Sequence, residues 1–539
     1  MRLLKFMTLI FTALMIFCSC SPINNSLSSN YNKGNIKNGA QGPKNTSIGN
    51  AMAEEYPVSV PEISKQEVSV MVEAENSELM GNLFISEERE GYSGDGYVSG
   101  FNKAYDNKIK IMVDVETSQH YDITLCVASS SNVKNALMVN GKKVGEFEIR
   151  KNETDKFIKA TFYGLFLEAG TSEISIKEID GNIDLDYIEV TDNKNLDEIS
   201  YDISPKLCNE NATETTKELM RYLAECYGKS IITGQYASNE KNLELEIIYS
   251  VTEQYPAIRF GDIGGYSLNG QRETKETEAC IEWSKKGGIV GLMWYWNAPL
   301  GRPSVYKASS DFKLLKAVTP KDIAKLSLNE IFDLYKAGEI SAECYALVKD
   351  IDAISEQLKI LQENDVPVLW RPLHEAGGEW FWWGGSGPEA YQWLWGLLYS
   401  RQTYYHKLNN LIWIWNGQDK EYTVSSNMYD IASLDIYLTG ETDFGSRVEQ
   451  YQWLNNVTGS KKLLAISECG NVPNIDNMFR DKSMWSFFGL WYGNYIMTTD
   501  GKFSEAYNSA EQLKKVYNSE GTINLYKYIN RNNAQNEKK

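Results

Sequence analysis

Val366-Pro367-Val368-Leu369-Trp370-Arg371-Pro372-Leu373-His374-Glu375 passes from a short apolar run to a charged end, and the same grammar returns at Leu463-Leu464-Ala465-Ile466-Ser467-Glu468-Cys469-Gly470. Apolar runs of this length, too short for helices and without polar alternation, mark strands buried on both faces of a parallel sheet. Further runs of the kind lie at Ser230–Gly234, Ala257–Phe260, Ile289–Trp296, Leu411–Trp415, Ile431–Tyr437 and Phe487–Tyr492, with helical sequence between most of them. Together they predict an α/β (β/α)8 TIM barrel over residues 205–530, with the stretch from Gly301 to about Ser341 inserted over its mouth. A doubly wound open sheet is the structural alternative, but no Gly-rich dinucleotide turn supports it.

Upstream the pattern changes. Val68-Ser69-Val70-Met71-Val72, Lys108 to Val115, Tyr121 to Val127 and Glu173 to Ile179 alternate apolar with polar residues, and turn signals such as Asn140-Gly141 and Asp180-Gly181 separate such runs. This reads as an all-β, jelly-roll-like sandwich over 66–192, joined to the barrel by a polar linker at 193–204. The Gly94-to-Gly100 stretch is turn chemistry, since no strand-to-helix context makes it a phosphate loop. Arg2 and Lys5 ahead of the apolar run Phe6 to Phe17 predict an export signal over 1–20, too short to span a bilayer. A small residue before Cys20 resembles a lipoprotein cleavage site, so Cys20 is a candidate lipid anchor, with plain secretion as the alternative. Residues 21–65, rich in Asn, Ser and Gly, read as a flexible tether.

Composition excludes several functions. With 54 Lys plus Arg against 72 Asp plus Glu in 539 residues, the formal charge is −18, which leaves no basic face for nucleic acid. No segment is a plausible membrane helix. The widely spaced Cys126, Cys208, Cys226, Cys280, Cys344 and Cys469 show no metal-type pattern and read as isolated thiols with at most a disulfide or two. With His120, His374 and His406 as the only histidines, a multi-histidine zinc site is improbable, and His406 in its Tyr-rich helical stretch reads as structural. Neither a G-x-S-x-G elbow nor a P-loop is present.

Chemistry in a barrel of this kind sits where strands end at the C-terminal face. Glu375 and Glu468 end two strands and should face each other across one mouth. A two-carboxylate glycosidase needs that arrangement: one acid to protonate the leaving oxygen, one carboxylate to attack the anomeric carbon. Structural salt bridges at the barrel mouth are the bland alternative. The rings that follow Glu375 weigh against it, since Trp380, Phe381, Trp382 and Trp383 are too bulky for an exposed loop unless they line a groove on which sugars stack.

Arg371-Pro372-Leu373-His374-Glu375 followed by Trp380-Phe381-Trp382-Trp383-Gly384 resembles the acid/base motif of glycoside hydrolase family 26, in which mannan endo-1,4-β-mannosidases predominate. Ile466-Ser467-Glu468-Cys469-Gly470 matches that family's nucleophile strand, and Asp435-Ile436-Tyr437 its sixth-strand motif, whose Tyr steadies the nucleophile. The resemblance implies Glu375 as acid/base, Glu468 as nucleophile, and His374, Trp380, Tyr437 and Trp491 around the central sugar, with Arg371, Tyr295 and Trp296 also in contact with substrate. Trp294-Tyr295-Trp296-Asn297 departs from the Trp-His-Trp-Asn of many members. Tyr295 donates a hydrogen bond there but carries no charge.

The sandwich opens with Val72-Glu73-Ala74-Glu75 and closes with Asp184-Leu185-Asp186-Tyr187-Ile188-Glu189-Val190, ends that resemble carbohydrate-binding modules of family 35. That resemblance implies a structural calcium on Glu73, Glu75 and Asp186, and sugar binding near Tyr92 and Tyr97. Two acids on one solvated strand face are the bland alternative. The expectation is thus a retaining, endo-acting β-mannanase, secreted or held as a bacterial cell-surface lipoprotein, with no cofactor for catalysis and a mannan-type polysaccharide as partner. A mixed-linkage β-glucanase, a β-1,3-xylanase and a non-catalytic polysaccharide-binding protein are the alternatives.

Overall fold

The computed structural model describes residues 68–102, 107–116, 119–149, 156–167, 170–193, 199–270, 273–437 and 445–536. The expected export signal, Cys20, the tether and positions 194–198 of the linker lie outside the described residues.

The N-terminal part is a two-sheet antiparallel sandwich. One sheet orders β3 (Phe84–Ser86), β4 (Tyr97–Ser99), β11 (Asp184–Asp192), β6 (Gln119–Ala128) and β9 (Ile158–Leu167), with β1 (Ser69–Glu73) also on β11. The other orders β2 (Glu78–Met80), β5 (Lys108–Val115), β10 (Gly170–Asp180), β7 (Val133–Val139) and β8 (Lys142–Ile149). Alternation does the sorting: Ile109, Ile111 and Val113 of β5 meet Ile123, Leu125 and Val127 of β6 in one buried cluster, while Lys110, Met112 and Asp114 between them on β5 stay accessible. Asn140 and Gly141, both at positive φ (50° and 76°), close the β7–β8 hairpin, as their sequence predicts. The first and last strands pair antiparallel, Glu73 opposite Tyr187, which carries Glu73 to the neighbourhood of Asp186.

The C-terminal part is the expected closed barrel. Its strands are β12 (Ile231–Tyr236), β13 (Ile258–Asp262), β14 (Ile289–Met293), β15 (Val368–Arg371), β16 (Leu411–Trp415), β17 (Ile431–Ile436), β18 (Leu463–Cys469) and β19 (Phe487–Leu490), paired in parallel around the ring, with β12 closing on β13. A short extra strand, β20 (Thr522–Ile523), runs beside Ile231 and Ile232. The β14-to-β15 crossover carries the insertion, which is stapled to the loop after β15: Lys307 N–H donates to Trp380 O at 2.7 Å and Trp382 N–H to Val305 O at 3.0 Å.

The two parts meet through buried polar contacts that no local pattern announces. His120 on β6 pairs with Asp481 of the barrel at 2.9 Å, each side chain 4% exposed, and Ser446 donates to the other oxygen of Asp481. The helix Val448–Thr458 lies along β9, where Gly164, at φ +69°, gives room to the Gln452 side chain: a Cβ there would meet Gln452 Nε2 at 2.5 Å. Ile199, Tyr201 and Ile203, expected as polar linker, pack on the barrel core, and the Tyr201 hydroxyl donates to Lys482 O. Removing one partner of a buried pair strands the other without solvent. His120→Ala should therefore cost about 3 kcal/mol of stability and lower the calorimetric Tm, whereas the same change at exposed Lys143 should not. A His120→Ala melt superimposable on that of the parent protein would mean that this contact is not holding the parts together.

Candidate active site

Pro372 ends β15, and the chain then turns sharply, with Leu373 and Glu375 both at φ 52°. Two left-handed non-glycine residues around one histidine store strain of about 1 kcal/mol or more each. The Glu375 N–H is held by Asn416, which follows β16, through its side-chain Oδ1 at 2.8 Å and its backbone oxygen at 2.9 Å. The carboxyl of Glu375, half-buried, accepts from the indole N–H of Trp380 at 3.2 Å.

Glu468 comes from β18, and a bulge sets its place. Leu434 of β17 pairs with Ile466, but the next residue, Asp435, pairs with Glu468, so Ser467 is passed over and the two acids stand side by side. Glu468 is 2% exposed. One oxygen is gripped by Arg371 Nη2, and the other accepts from the Tyr437 hydroxyl at 2.9 Å. Arg371 Nη1 binds Asp435 at 2.6 Å, and Nη2 also reaches the Tyr236 hydroxyl at 2.9 Å. Asp435 further accepts from Ser467 Oγ at 2.6 Å and Asn416 Nδ2 at 3.1 Å. One carboxylate oxygen each from Glu375, Asp435 and Glu468 lies within 4.8 Å of the others. That triad has the ligand count for a metal, but the Arg371 guanidinium already stands against two of its members and supplies the positive charge.

Electrostatics separates the glutamates. Burial pushes the Glu375 carboxyl well above the usual carboxylate range, and the charges of Asp435 and Glu468 push it further; Arg371 and the Trp380 N–H oppose them. Burial also raises Glu468, with Asp435 adding to it, against the pull of Arg371 and Tyr437. Only Glu468 carries a direct hydrogen bond from a cation, so a single proton shared by the pair resides on Glu375. Burial, and after it Arg371, hold His374 well below the ordinary imidazole value, so its ring is neutral.

A neutral acid facing an anchored carboxylate at a barrel mouth is the equipment for glycoside cleavage, and comparison with known proteins agrees. The family model "Glycosyl hydrolase family 26" matches residues 208–526, and "Carbohydrate binding module (family 35)" matches 70–193. The chain belongs to glycosyl hydrolase family 26. A mannan endo-1,4-β-mannosidase of Thermothelomyces thermophilus is 32% identical over 466 residues, 84% of this chain and 89% of that one. The structure of a Podospora anserina β-(1,4)-mannanase with both kinds of domain has TM-score 0.56 at 30% identity, covering 85% of this chain and 98% of its own. A ruminal family 26 endo-β-1,4-mannanase has TM-score 0.64 at 26% identity, covering 87% and 99%.

Within this family 26 barrel the expected site residues fall into groups. Glu375, Glu468, His374, Trp380, Tyr437 and Tyr295 come together: the Tyr295 ring is 5.5 Å from that of His374, and the Trp491 ring 4.7 Å from that of Tyr236. Trp296, expected at the sugar, is fully buried, stacked on Trp294 at 3.8 Å with its N–H on Asp350. Phe381, Trp382 and Trp383 likewise line no groove: they are 1%, 2% and 0% exposed, while Trp380 is 42% exposed. Their indole N–H groups tie the loop down, Trp382 to Trp296 O at 2.7 Å and Trp383 to His374 O at 2.8 Å. Arg371, expected to touch substrate, spends both terminal nitrogens beneath the carboxylates. Tyr236, Asn416 and the third carboxylate, Asp435, were not singled out from sequence for a place at the centre. Each stands at a strand end, the same signal that found the glutamates.

In the family 35 sandwich Glu73, Glu75 and Asp186 converge on one turn. Ser93 donates its N–H to Asp186 and its hydroxyl to Glu73, both at 2.9 Å, and Asp95 N–H donates to Glu75 at 2.9 Å. Gly94, φ +65°, is needed there, since a Cβ would collide with Glu75 Oε1. Glu75 Oε2 is buried without a hydrogen-bond partner. Burial raises Glu73 and Asp186, and the neighbouring acids add to it. The donors are all oxygens, the chemistry a hard dication takes, although the three acids do not stand as close together as Glu375, Asp435 and Glu468 do at the barrel mouth.

A two-carboxylate mechanism on this pair would be limited at low pH by protonation of Glu468 and at high pH by loss of the proton from Glu375. The kcat/KM profile should be a bell, and Glu375→Gln, assayed on a substrate with an activated leaving group, should lose the alkaline limb and keep the acid one. An alkaline limb that survives Glu375→Gln would assign it to another group.

Proposed function

We propose that this chain is a retaining, endo-acting mannan endo-1,4-β-mannosidase that cuts glucomannan and galactomannan with Glu375 as acid/base and Glu468 as nucleophile. One observation carries the reading: Glu375 and the cation-anchored Glu468 face each other across the barrel mouth with an oxygen of each within 4.8 Å of the other, a closest approach that favours the retaining spacing. Retaining enzymes space their carboxyls at about 5–5.5 Å, whereas inverting ones leave about 6.5–9.5 Å for a water. In the first step Glu468 attacks the anomeric carbon while Glu375 gives its proton to the departing glycosidic oxygen, leaving a glycosyl ester on Glu468. In the second, Glu375, now a carboxylate, takes a proton from water, whose oxygen displaces Glu468 and restores both groups. Arg371 and the Tyr437 hydroxyl hold the nucleophile in line. Neutral His374 and the rings of Tyr295 and Trp491 wall the central sugar, and the exposed ring of Trp380 beside Glu375 offers the leaving sugar a stacking face. Mannan as substrate is supported by the names of the relatives from Thermothelomyces and Podospora.

The sandwich, in this reading, binds polysaccharide and holds a structural calcium on Glu73, Glu75 and Asp186. Export, with Cys20 as a lipid anchor on a bacterial surface, rests on the N-terminal sequence pattern alone.

Glu468→Ala should abolish turnover on every substrate. Glu375→Ala should keep slow activity on aryl mannosides whose leaving group needs no proton, and azide should accelerate only that variant. Reducing-end release from mannan, but little from mixed-linkage glucan or β-1,3-xylan, is expected of the parent protein. Equal residues of activity in both variants, or preference for glucan, would overturn the assignment of roles or of substrate respectively.

Calcium is tested by calorimetry of the full chain. A site occupied at 100 times its Kd adds about 2.7 kcal/mol, so chelation should lower the Tm of the sandwich while leaving hydrolysis of soluble mannan intact. Glu75→Gln should melt at the chelated temperature with or without calcium. A Tm indifferent to chelator would remove the ion from this proposal.

A further inference from the structure

Asn416 is a fully buried side chain at the end of β16 that touches the surroundings of both glutamates. Its Oδ1 accepts the Glu375 N–H at 2.8 Å, and that contact fixes which way the amide points. Its Nδ2 then faces β17 and β18, 3.1 Å from Asp435 Oδ1, 2.9 Å from Ser467 Oγ and 3.3 Å from Ser433 Oγ. Ser467 is the residue before Glu468 and donates to Asp435 at 2.6 Å. Asp435 in turn holds the guanidinium that grips Glu468. One amide therefore has its acceptor end on the strained acid/base turn and its donor end on the network that anchors the nucleophile.

We propose that Asn416 is a positioning residue that sets the register between the proton donor Glu375 and the nucleophile Glu468. The inference rests on the two-glutamate reading of the site. Strand pairing alone leaves the Glu375 turn free to relax, because Leu373 and Glu375 both occupy a conformation that non-glycine residues leave when released. The backbone oxygen of Asn416 also accepts the Glu375 N–H, at 2.9 Å, so loss of the amide loosens the turn without freeing it. Chemistry is sensitive on that scale: a reacting group misplaced by about 1 Å costs about 100-fold in rate.

Two replacements separate the two ends of the amide. Asn416→Ala removes both contacts. Asn416→Asp keeps an oxygen for the Glu375 N–H but loses the donor and adds a negative charge against Asp435. The ionisable groups around that charge are Glu375, Asp435, Glu468, Arg371, His374, Tyr236 and Tyr437, and Arg371 is the only cation among them. For Asn416→Ala, kcat on soluble mannan should fall about 100-fold with KM near that of the parent protein. For Asn416→Asp, the acid limb of the kcat/KM profile should move to higher pH, because added negative charge favours the protonated nucleophile. Thermal melts of both variants accompany the kinetics. A parental kcat in Asn416→Ala, or an acid limb unmoved in a folded Asn416→Asp, would overturn the proposal. Full activity in Glu468→Ala would instead sink the two-glutamate reading beneath it.

Discussion

A guanidinium whose side chain is 3% exposed, lying between two buried carboxylates, is the constraint from which the site follows. Desolvating an arginine costs several kcal/mol, and so does desolvating each acid. Separately none of them would be tolerated at the barrel mouth. Together Arg371, Asp435 and Glu468 carry one positive and two negative charges, a net of minus one. A further ionised carboxyl within 4.8 Å would raise that to minus two, and Glu375 avoids it by keeping its proton. Glu375 is the protonated member of the pair because the counter-ion of Glu468 is already shared with Asp435. The β-bulge that drops Ser467 from the β17–β18 ladder belongs to the same argument, since without it Asp435 and Glu468 would not stand level.

The tryptophans show how a correct compositional signal misleads about mechanism. All 14 lie between Trp283 and Trp491, and their crowding after Glu375 reads naturally as a sugar-stacking groove. An indole is also the largest rigid filler available, and it carries a single donor that usually finds a partner when buried. Trp294, Trp296, Trp382 and Trp383 spend theirs on Ser267, Asp350, Trp296 O and His374 O, which ties the loop after β15 and the Glu375 turn into one packed mass. Only Trp380 of its cluster stays open, with its donor on Glu375. Periodicity counts rings, but it does not tell a ring that lines a cleft from one that stiffens the wall behind it.

The barrel was legible because parallel strands buried on both faces leave runs that polar loops cannot imitate, and all eight runs lie on strands. That Glu375 and Glu468 would meet at one mouth was legible because each closes such a run; one strand-end carboxylate alone is more often structural, and it is the pair that carried the expectation. Asn416 and Tyr236 close runs in the same way, but an amide and a phenol at a strand end have many bland uses, and what distinguishes them is the partner they meet in space. Short edge strands such as β2 and β3, three residues each, carry too few positions for alternation to register.

The contact between sandwich and barrel lay furthest from sequence reach. His120 and Asp481 are 361 positions apart, and neither stands in a motif. Each reads by itself as an ordinary polar residue. Their burial against each other means that the sheet carrying β6 and β9 is packed on the barrel through a specific polar pair. Buried polar pairs add little net stability compared with apolar packing, but they penalise every arrangement in which one partner lacks the other. A β-sandwich presents two broad, similar faces, and apolar packing alone would distinguish poorly between ways of seating them. The histidine–aspartate pair makes one seating much cheaper than the rest, so the loops of the binding module take a defined direction relative to the barrel that carries the two glutamates.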